Sequence, residues 1–364
     1  MPAFDRSDRS SWLSPGSPLS SREVVHLINP LWDSTGGSDW RTIEMFKLLG
    51  ESRQVHLWSR VTPAPEFSRR YPVQLIRPWQ GRFPVGGTFI FVGVYFRIGH
   101  WYKAALPGRT ILIYNTYQPD RLDKAIQRLR AWHRAPVELV YTSTLLRTLS
   151  SRPGIVIESP IDLARFTPTQ CSSLRRFRVG RLSRDIPSKH HEEDPALYAA
   201  LATEGIDVRI MGGACLRGKV TGLADAALLP AGGMPAATFL QSLDCFCYRT
   251  SDHWLEAYGR VVFEAMARGL PVVCGRRGGY ADYIVHGVNG FLFDTTTEAI
   301  ALIRNLREDT ALRERVGRAA RKTVERLYGD GAWRRKQSFF LEPRHARASR
   351  SSQTAFDPTP SELR

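Results

Sequence analysis

No stretch of this sequence is long and apolar enough to read as a membrane span. The longest apolar window, Val85 to Tyr102, is interrupted by Arg97, His100 and four glycines, and it falls short of the roughly 20 clean residues a helical span needs. The first residues scatter Asp and Arg among serines without an apolar core and do not read as a secretory leader. These absences lead us to expect a cytoplasmic protein. Cysteine is sparse: five occur, at positions 171, 215, 245, 247 and 274, each in or beside an apolar run and without paired metal-type spacing. They read as small buried thiols. Cys245 and Cys247 would share one strand face, but no second Cys or His pair completes a metal set.

Acidic residues are in deficit, 35 Asp and Glu against 51 Lys and Arg, for a formal net charge of +16. A balance of this kind asks for an anionic partner: nucleic acid, an anionic bilayer surface or a phosphorylated small molecule. Zinc-finger spacing and aromatic ribonucleoprotein signatures are both lacking. The Arg-rich patches lie within or beside strand and helix patterns, not along one basic helix, so nucleic acid is the minor reading.

What is present is a folded middle of ordinary composition, 43% apolar and 24% charged. A chain of 364 residues is long for one core and comfortable for two. Residues 1–21 and 343–364 are rich in Ser, Pro and charge without period and are expected to be disordered tails. Between them, short β-branched runs alternate with helical patterns. In the first half the strands are expected at Val24–Ile28, Val55–Trp58 and Thr110–Tyr114, with helices at Ser38–Leu49 and Arg121–Trp132.

The rhythm restarts after Thr167, with strands expected near Phe177–Val179, Val208–Met211, Cys245–Tyr248, Pro271–Cys274 and Phe291–Phe293. Helices are expected at Pro195–Ala202, Ala236–Leu243, Gly259–Arg268 and near Tyr280–Val285, followed by two terminal helices. This is the pattern of parallel α/β sheets. We therefore expect two Rossmann-like domains in series, 22–165 and 166–342, joined near Ser159–Pro168, where Pro160 and Pro168 interrupt the pattern. A ligand would bind between them, outside the carboxyl ends of the strands.

The most informative stretch is Glu256 to Gly279, EAYGRVVFEAMARGLPVVCGRRGG, in which seven residues separate Glu256 from Glu264. A helix starting near Gly259 offers free backbone N–H groups and a positive dipole end to phosphate oxygens, and glycine lets the phosphate approach closely. The carboxylate of Glu264 could accept hydrogen bonds from two ribose hydroxyls. Read without context, the two glutamates are a helix-start charge and a solvated helix residue. The apolar neighbours of Glu264 (Val261, Val262, Ala265 and Met266) are unusual for a merely solvated carboxylate.

In this segment the sequence resembles glycosyltransferase family 4, which carries the same pair of glutamates followed by a strand and a glycine-rich loop. The similarity extends through Gly278–Phe293, where Asp282 stands at a position that is usually Glu and Asn289-Gly290 are kept. It extends also to Val179–His191, to Pro160–Pro168 and to the Gly36-Gly37 turn. The resemblance implies a GT-B fold and a retaining, metal-independent hexosyltransferase without a cofactor. Its substrates would be a nucleotide-sugar donor and a carbohydrate or lipid-linked acceptor, in polysaccharide or glycoconjugate biosynthesis. It also implies that Arg181 and Lys189 grip the donor diphosphate, Glu264 the ribose and Glu256 the transferred sugar. Gly36, Gly37, Gly259, Arg260, Val261 and Val262 would line the donor site. Two fixed cations would stabilise a diphosphate leaving group without a metal. On their own, Arg181 and Lys189 also read as surface cations in a basic chain.

Two departures from the family stand out. The first-domain histidine that faces the sugar is absent, and the corresponding region reads Tyr114-Asn115-Thr116, so Asn115 is the candidate to take its place. Lys189 lies two residues further from Arg181 than is common, which implies a longer loop. His190 and His191 read as loop residues beside Lys189. In the first half, Trp79, Phe83, Phe89, Phe91, Tyr95, Phe96, Trp101 and Tyr102 cluster with Arg77, Arg82, Arg97 and Lys103. They form either core packing or a peripheral surface for an anionic membrane. Competing functions are a nucleotide-sugar epimerase or hydrolase of the same architecture, and a basic nucleic-acid-binding protein. Glu264 and Gly259 have no task in the last.

Overall fold

The computed structural model describes residues 24–133, 135–168 and 176–342. The expected tails, and Cys171, lie outside these residues. The first half holds β1 (Val25–Ile28), α1 (Gly37–Gly50), β2 (Val55–Ser59), α2 (Pro65–Arg70), β3 (Val73–Leu75) and β4 (Thr88–Val92). It continues with α3 (Trp101–Ala104), β5 (Arg109–Tyr114), α4 (Pro119–Trp132), β6 (Val137–Tyr141), α5 (Thr144–Thr148) and β7 (Ile155–Val156). The second half holds β8 (Arg178–Leu182), α6 (Asp194–Thr203), β9 (Asp207–Met211), β10 (Leu228–Leu229), α7 (Ala236–Gln241) and β11 (Cys245–Tyr248). It ends with α8 (Arg260–Ala267), β12 (Val272–Gly275), β13 (Phe291–Phe293), α9 (Thr296–Glu308), α10 (Thr310–Tyr328) and α11 (Asp330–Leu341).

Seven strands form the first sheet in the order β3-β2-β1-β4-β5-β6-β7, and six form the second as β10-β9-β8-β11-β12-β13. Every pairing between named strands is parallel. In both sheets the first strand of the half lies inside the order and the chain reverses direction beside it, the switch point at which doubly wound sheets open a crevice. The strands are apolar on both faces because helices and loops cover both sides. Phe89, Ile90 and Phe91 in β4 are all fully buried.

The apolar window at 85–102 is thus β4 followed by a loop and the short α3. Of the aromatic cluster read as either core or surface, Phe89, Phe91, Phe96, Trp101 and Tyr102 belong to the core over one face of the first sheet. Trp79 and Tyr95 remain exposed. Position in the sheet decides this: β4 and β5 are interior strands, so bulky residues facing either layer are covered.

Three terminal helices follow β13, where two were expected, and the last of them returns to the first half. Trp333 and Phe340 of α11 join the same core cluster as Val25, Leu27, Ile90 and Ile113. The Gln337 amide donates to the Leu48 carbonyl at 2.8 Å, and Lys336 pairs with Glu158 at 2.6 Å. Arg109 forks onto Glu138 at 2.7 and 2.9 Å and also donates to the Phe340 carbonyl at 3.1 Å. Thus α11, at the end of the expected grouping 166–342, packs on the first sheet and straps the halves together.

Phe340→Ala should destabilise the first half by about 3–5 kcal/mol, the usual cost of deleting a buried aromatic ring. Urea unfolding followed by tryptophan fluorescence should show a lower midpoint. An unchanged midpoint would mean that α11 does not belong to that core.

Candidate functional site

The carboxyl ends of both sheets open onto one cleft of about 880 Å³. From the first half it is lined by the β1–α1 loop, Asn115 and Thr116 after β5, and Thr142 after β6. From the second half come Ser183, Arg184 and Lys189 after β8, Ala231–Ala236 after β10, and Trp254–Val261 with Glu264. The halves touch where the Ser143 hydroxyl donates to the Ala257 carbonyl at 2.6 Å.

Two helices point their amino ends into this space. α8 starts from Gly259, whose backbone is left-handed at φ 77°. A Cβ on Gly259 would sit 2.4 Å from the Tyr280 ring, so both conformation and space demand glycine. α1 starts from Gly36 and Gly37, both of which line the cleft. A Cβ on Gly36 would meet the Asp39 carboxylate at 2.5 Å, whereas Gly37 has open space. The first N–H groups of both helices are without intrahelical partners, as at any helix start, and face a ligand-sized volume.

Between them stands a buried ion pair. Lys189 Nζ lies 2.5 Å from Glu256 Oε2, which also accepts from the Tyr248 hydroxyl at 2.7 Å. Burial pushes the Glu256 carboxyl up, but the charge and hydrogen bond of Lys189 outweigh it and hold Glu256 below the usual range. The Trp254 ring packs against Lys189 Nζ at 4.6 Å and against the Arg184 guanidinium at 5.3 Å. Arg184 lines the cleft, and among the described residues it has no carboxylate partner.

Glu264, one helical turn into α8, has one oxygen taken by Arg260 at 2.8 Å. Its other oxygen is without a hydrogen-bond partner among the described residues. Burial raises its pKa, and the Arg260 charge offsets this only in part. Arg260 in turn donates to the Pro160 carbonyl at 2.5 Å and the Ser159 hydroxyl at 3.2 Å, which ties the interdomain link to this glutamate.

The structure brings Gly36, Gly37, Lys189, Glu256, Gly259, Arg260, Val261 and Glu264 to the cleft. Two expected residues are not there. Val262 is fully buried in the core, because Val261 and Glu264 lie three apart on the cleft face while Val262 turns away. Arg181 is buried behind the cleft wall. Its guanidinium donates to Asp194 at 3.0 Å, to the Arg249 carbonyl at 2.6 Å and to the Lys189 carbonyl. It braces the Lys189 loop and does not line the cleft, whereas Arg184, three residues on, does. His190 is buried beside this network with Nε2 against the Gly212 carbonyl at 2.8 Å.

Asn115 does line the cleft. Its amide donates to the Ser38 hydroxyl at 2.9 Å, and its Oδ1 is buried without a partner. Sequence reasoning missed Arg184, Trp254 and Asp39. The first two sit within a few residues of recognised positions, but nothing local says which way they face. Asp39, in the first turn of α1, is 4% exposed with Oδ1 unpartnered. Burial first, then the charge of Asp33, raises its pKa to about 7.

An aspartate that holds its proton more tightly when folded stabilises the fold below its unfolded pKa of about 3.9 and loses that stabilisation as pH rises. The window here runs from there to about 7. Asp39→Asn should therefore raise the thermal midpoint at about pH 8 and leave it little changed at about pH 4. A variant less stable than the parent at the higher pH would contradict the assignment.

Comparisons with known proteins were made for sequence and fold. The family described as Glycosyl transferases group 1 matches residues 231–323, a window that contains Glu256, the start of α8 and Glu264. Spore coat protein SA of Bacillus subtilis is 35% identical over 88 residues, 23% of this chain and 22% of that protein. Sulfoquinovosyl transferase SQD2 of Arabidopsis thaliana is 42% identical over 76 residues, 20% of this chain and 15% of that protein. The matches thus span about a fifth or less of these curated relatives. In fold, Anabaena HepE in complex with UDP-glucose aligns over 91% of this chain and 100% of its own, with a TM-score of 0.65 and 16% identity. WaaG, a glycosyltransferase involved in lipopolysaccharide biosynthesis, aligns over 88% and 100%, with a TM-score of 0.63 and 12% identity. The chain has the GT-B fold, two parallel-sheet α/β domains facing across a cleft, and its residues 231–323 match the family described as Glycosyl transferases group 1.

Proposed function

We propose that the protein is a metal-independent, retaining glycosyltransferase of family 4 that moves a hexose from a nucleotide sugar to a carbohydrate or lipid-linked acceptor. The observation that carries this reading is the arrangement along α8. Glu264 and Arg260 stand in its first turns, Gly259 at its amino end, and the Lys189–Glu256 pair beyond that end, in the cleft between the sheets. The order suits a nucleotide sugar laid along the cleft. The free oxygen of Glu264 accepts ribose hydroxyls, the helix start and Lys189 meet the diphosphate, and Glu256 accepts hydroxyls of the sugar. The HepE structure contains UDP-glucose in the same fold, which supports a nucleotide-sugar donor.

In the transfer, the bond between the sugar's anomeric carbon and the diphosphate oxygen breaks. A bond to the acceptor oxygen forms, and the acceptor's proton leaves with the diphosphate. Negative charge grows on the leaving group, where Lys189 and Arg184 stand as fixed cations in a partly dry site. Retention is carried over from the family resemblance. Glycoconjugate or polysaccharide synthesis in the cytoplasm, with association at the membrane's inner face, fits this reading. The four free cysteines described also suit a reducing compartment. Among the described residues no helix is long and apolar enough to cross a membrane.

Calorimetric titration of the full chain with UDP, GDP and ADP should find one nucleotide bound with EDTA present. Lys189→Ala and Glu264→Ala should each weaken it by about 10- to 100-fold, the range for hydrogen bonds to charged groups. Failure of a folded chain to bind any of the three would sink the donor-site reading. The division of labour between the arginines has its own test. Arg184→Gln should weaken a nucleoside diphosphate but spare the monophosphate, whereas Arg181→Gln should lower thermal stability through its buried network. Equal binding of both nucleotides by Arg184→Gln and the parent would remove Arg184 from the phosphate site.

A further inference from the structure

The first-half wall of the cleft differs in charge from the chain as a whole. In a protein of formal net charge +16, this wall with the adjoining link presents the carboxylates of Asp33, Asp39 and Glu66 against the guanidinium groups of Arg41, Arg70 and Arg165. The charges balance, and each arginine is engaged. Arg41 is fully buried and donates to the Ile157 carbonyl, Arg70 pairs with Glu66 at 3.5 Å, and Arg165 packs over the Trp40 ring at 4.6 Å. Arg184 and Lys189 stand on the opposite wall, in the second half.

Two large aromatic side chains stand exposed on the first-half wall, Trp32 at 55% and Tyr95 at 39%. They follow the carboxyl ends of adjacent strands, β1 and β4, and one side chain ties the two exits together. Asn29 donates through Nδ2 to the Val92 carbonyl at 2.8 Å and accepts through Oδ1 from the Leu31 N–H at 2.8 Å. Leu31 has a left-handed backbone at φ 50°, uncommon for a branched residue. Its side chain is fully buried, and its carbonyl accepts from the Ala64 N–H at 2.7 Å. This turn takes Leu31 into the core and leaves the next residue, Trp32, on the cleft. Strain of this kind persists where the surroundings hold it, and it gathers at ligand sites. The Arg121 guanidinium lies 5.0 Å from the centre of the Tyr95 ring and steadies it. The Trp32 ring has no aromatic or cationic neighbour among the described residues.

We propose that Trp32 and Tyr95 form the seat of the acceptor, and that the unit seated there is an uncharged sugar ring. A pyranose carries a face of C–H groups and a rim of hydroxyls. The aromatic faces suit the first, because their negative quadrupole attracts C–H groups. The second finds acceptors in the Asp33 carboxylate and in Asn115 Oδ1, which is buried without a partner. A phosphorylated or carboxylated sugar would set its charge beside Asp33 and Glu66, with no unengaged cation on that wall to receive it. An acyl chain would meet the rings but leave the Asn115 oxygen unpaired. The inference rests on the glycosyltransferase reading and names what its cleft accepts.

Binding of the full chain to a glycan array tests it, with neutral saccharides (maltose, lactose, chitobiose), glucuronosides and hexose phosphates side by side. Retention is expected on neutral terminal sugars and not on the two charged sets. Trp32→Ala and Tyr95→Ala should each lose at least about tenfold of that binding, and Trp32→Phe should recover most of it. All three variants should melt with the parent. Where transfer is assayed, Trp32→Ala should raise KM for the acceptor and leave KM for the donor unchanged. Absence of binding to every neutral saccharide, a preference for the charged sets, or undiminished binding by both alanine variants would overturn the proposal. Nucleotide binding without neutral-sugar binding would fail this inference and spare the donor site, whereas the reverse would fail the donor site alone.

Discussion

A single buried carboxylate organises the second half. Asp194, 1% exposed at the start of α6, accepts from Arg181 at 3.0 Å and from the His191 N–H at 3.0 Å through one oxygen, and from Arg249 at 2.7 Å through the other. Arg181 comes from β8 and Arg249 from the segment after β11, adjacent strands at the centre of the second sheet. Removing one partner from such a buried network leaves a charge without compensation, at a cost of about 3–5 kcal/mol. The ends of two strands, the loop between β8 and α6, and the carbonyl of Lys189 are therefore fixed together. Lys189 is thus placed in the cleft by charges buried behind its wall.

The same logic operates between the halves. Arg260 couples Glu264 to the link at Ser159 and Pro160, Lys336 on α11 couples Glu158 to the returning helix, and Ser143 reaches Ala257 across the cleft. Each contact crosses the junction near the cleft, so the geometry of the cleft and the seating of the halves are one property. Arg41, fully buried on α1, adds to this seam by donating to the Ile157 carbonyl at 2.9 Å. A change in how the halves meet would move Glu264 and the start of α1 together.

What the sequence revealed, and what it hid, follows from the range of the forces involved. Strands β1, β2, β5, β8, β9, β11, β12 and β13 and the long helices are legible because their apolar runs are local, and the glutamates around α8 because they sit at and within the start of one helix. Strands β3, β4, β6, β7 and β10 went unread, the interior β4 and β6 among them, as did the third terminal helix. Arg181 misled because the direction of a strand residue depends on partners 13 and 68 positions away, Asp194 and Arg249. The aromatic run at 83–102 was ambiguous for a like reason: strand order, which no local pattern encodes, decides that Phe89 and Tyr102 are interior while Trp79 is not. Asp39 was invisible because its raised pKa comes from burial under neighbouring loops and from Asp33.

The pairing of Lys189 with Glu256 has a consequence for any anion that enters. A lysine this buried would tend to shed its proton, and a glutamate this buried would tend to gain one. At 2.5 Å, Glu256 draws the lysine's pKa back up against its burial, and Lys189, with the hydrogen bond from Tyr248, holds the carboxylate below its usual range. An incoming diphosphate competes with Glu256 for the ammonium. The carboxylate it displaces must find hydrogen-bond donors or bear the cost of standing unpaired in a partly dry site. On the proposed reading, sugar hydroxyls supply such donors attached to the same diphosphate, so a sugar diphosphate would satisfy both groups where a bare anion would take the lysine and leave the glutamate unpaired.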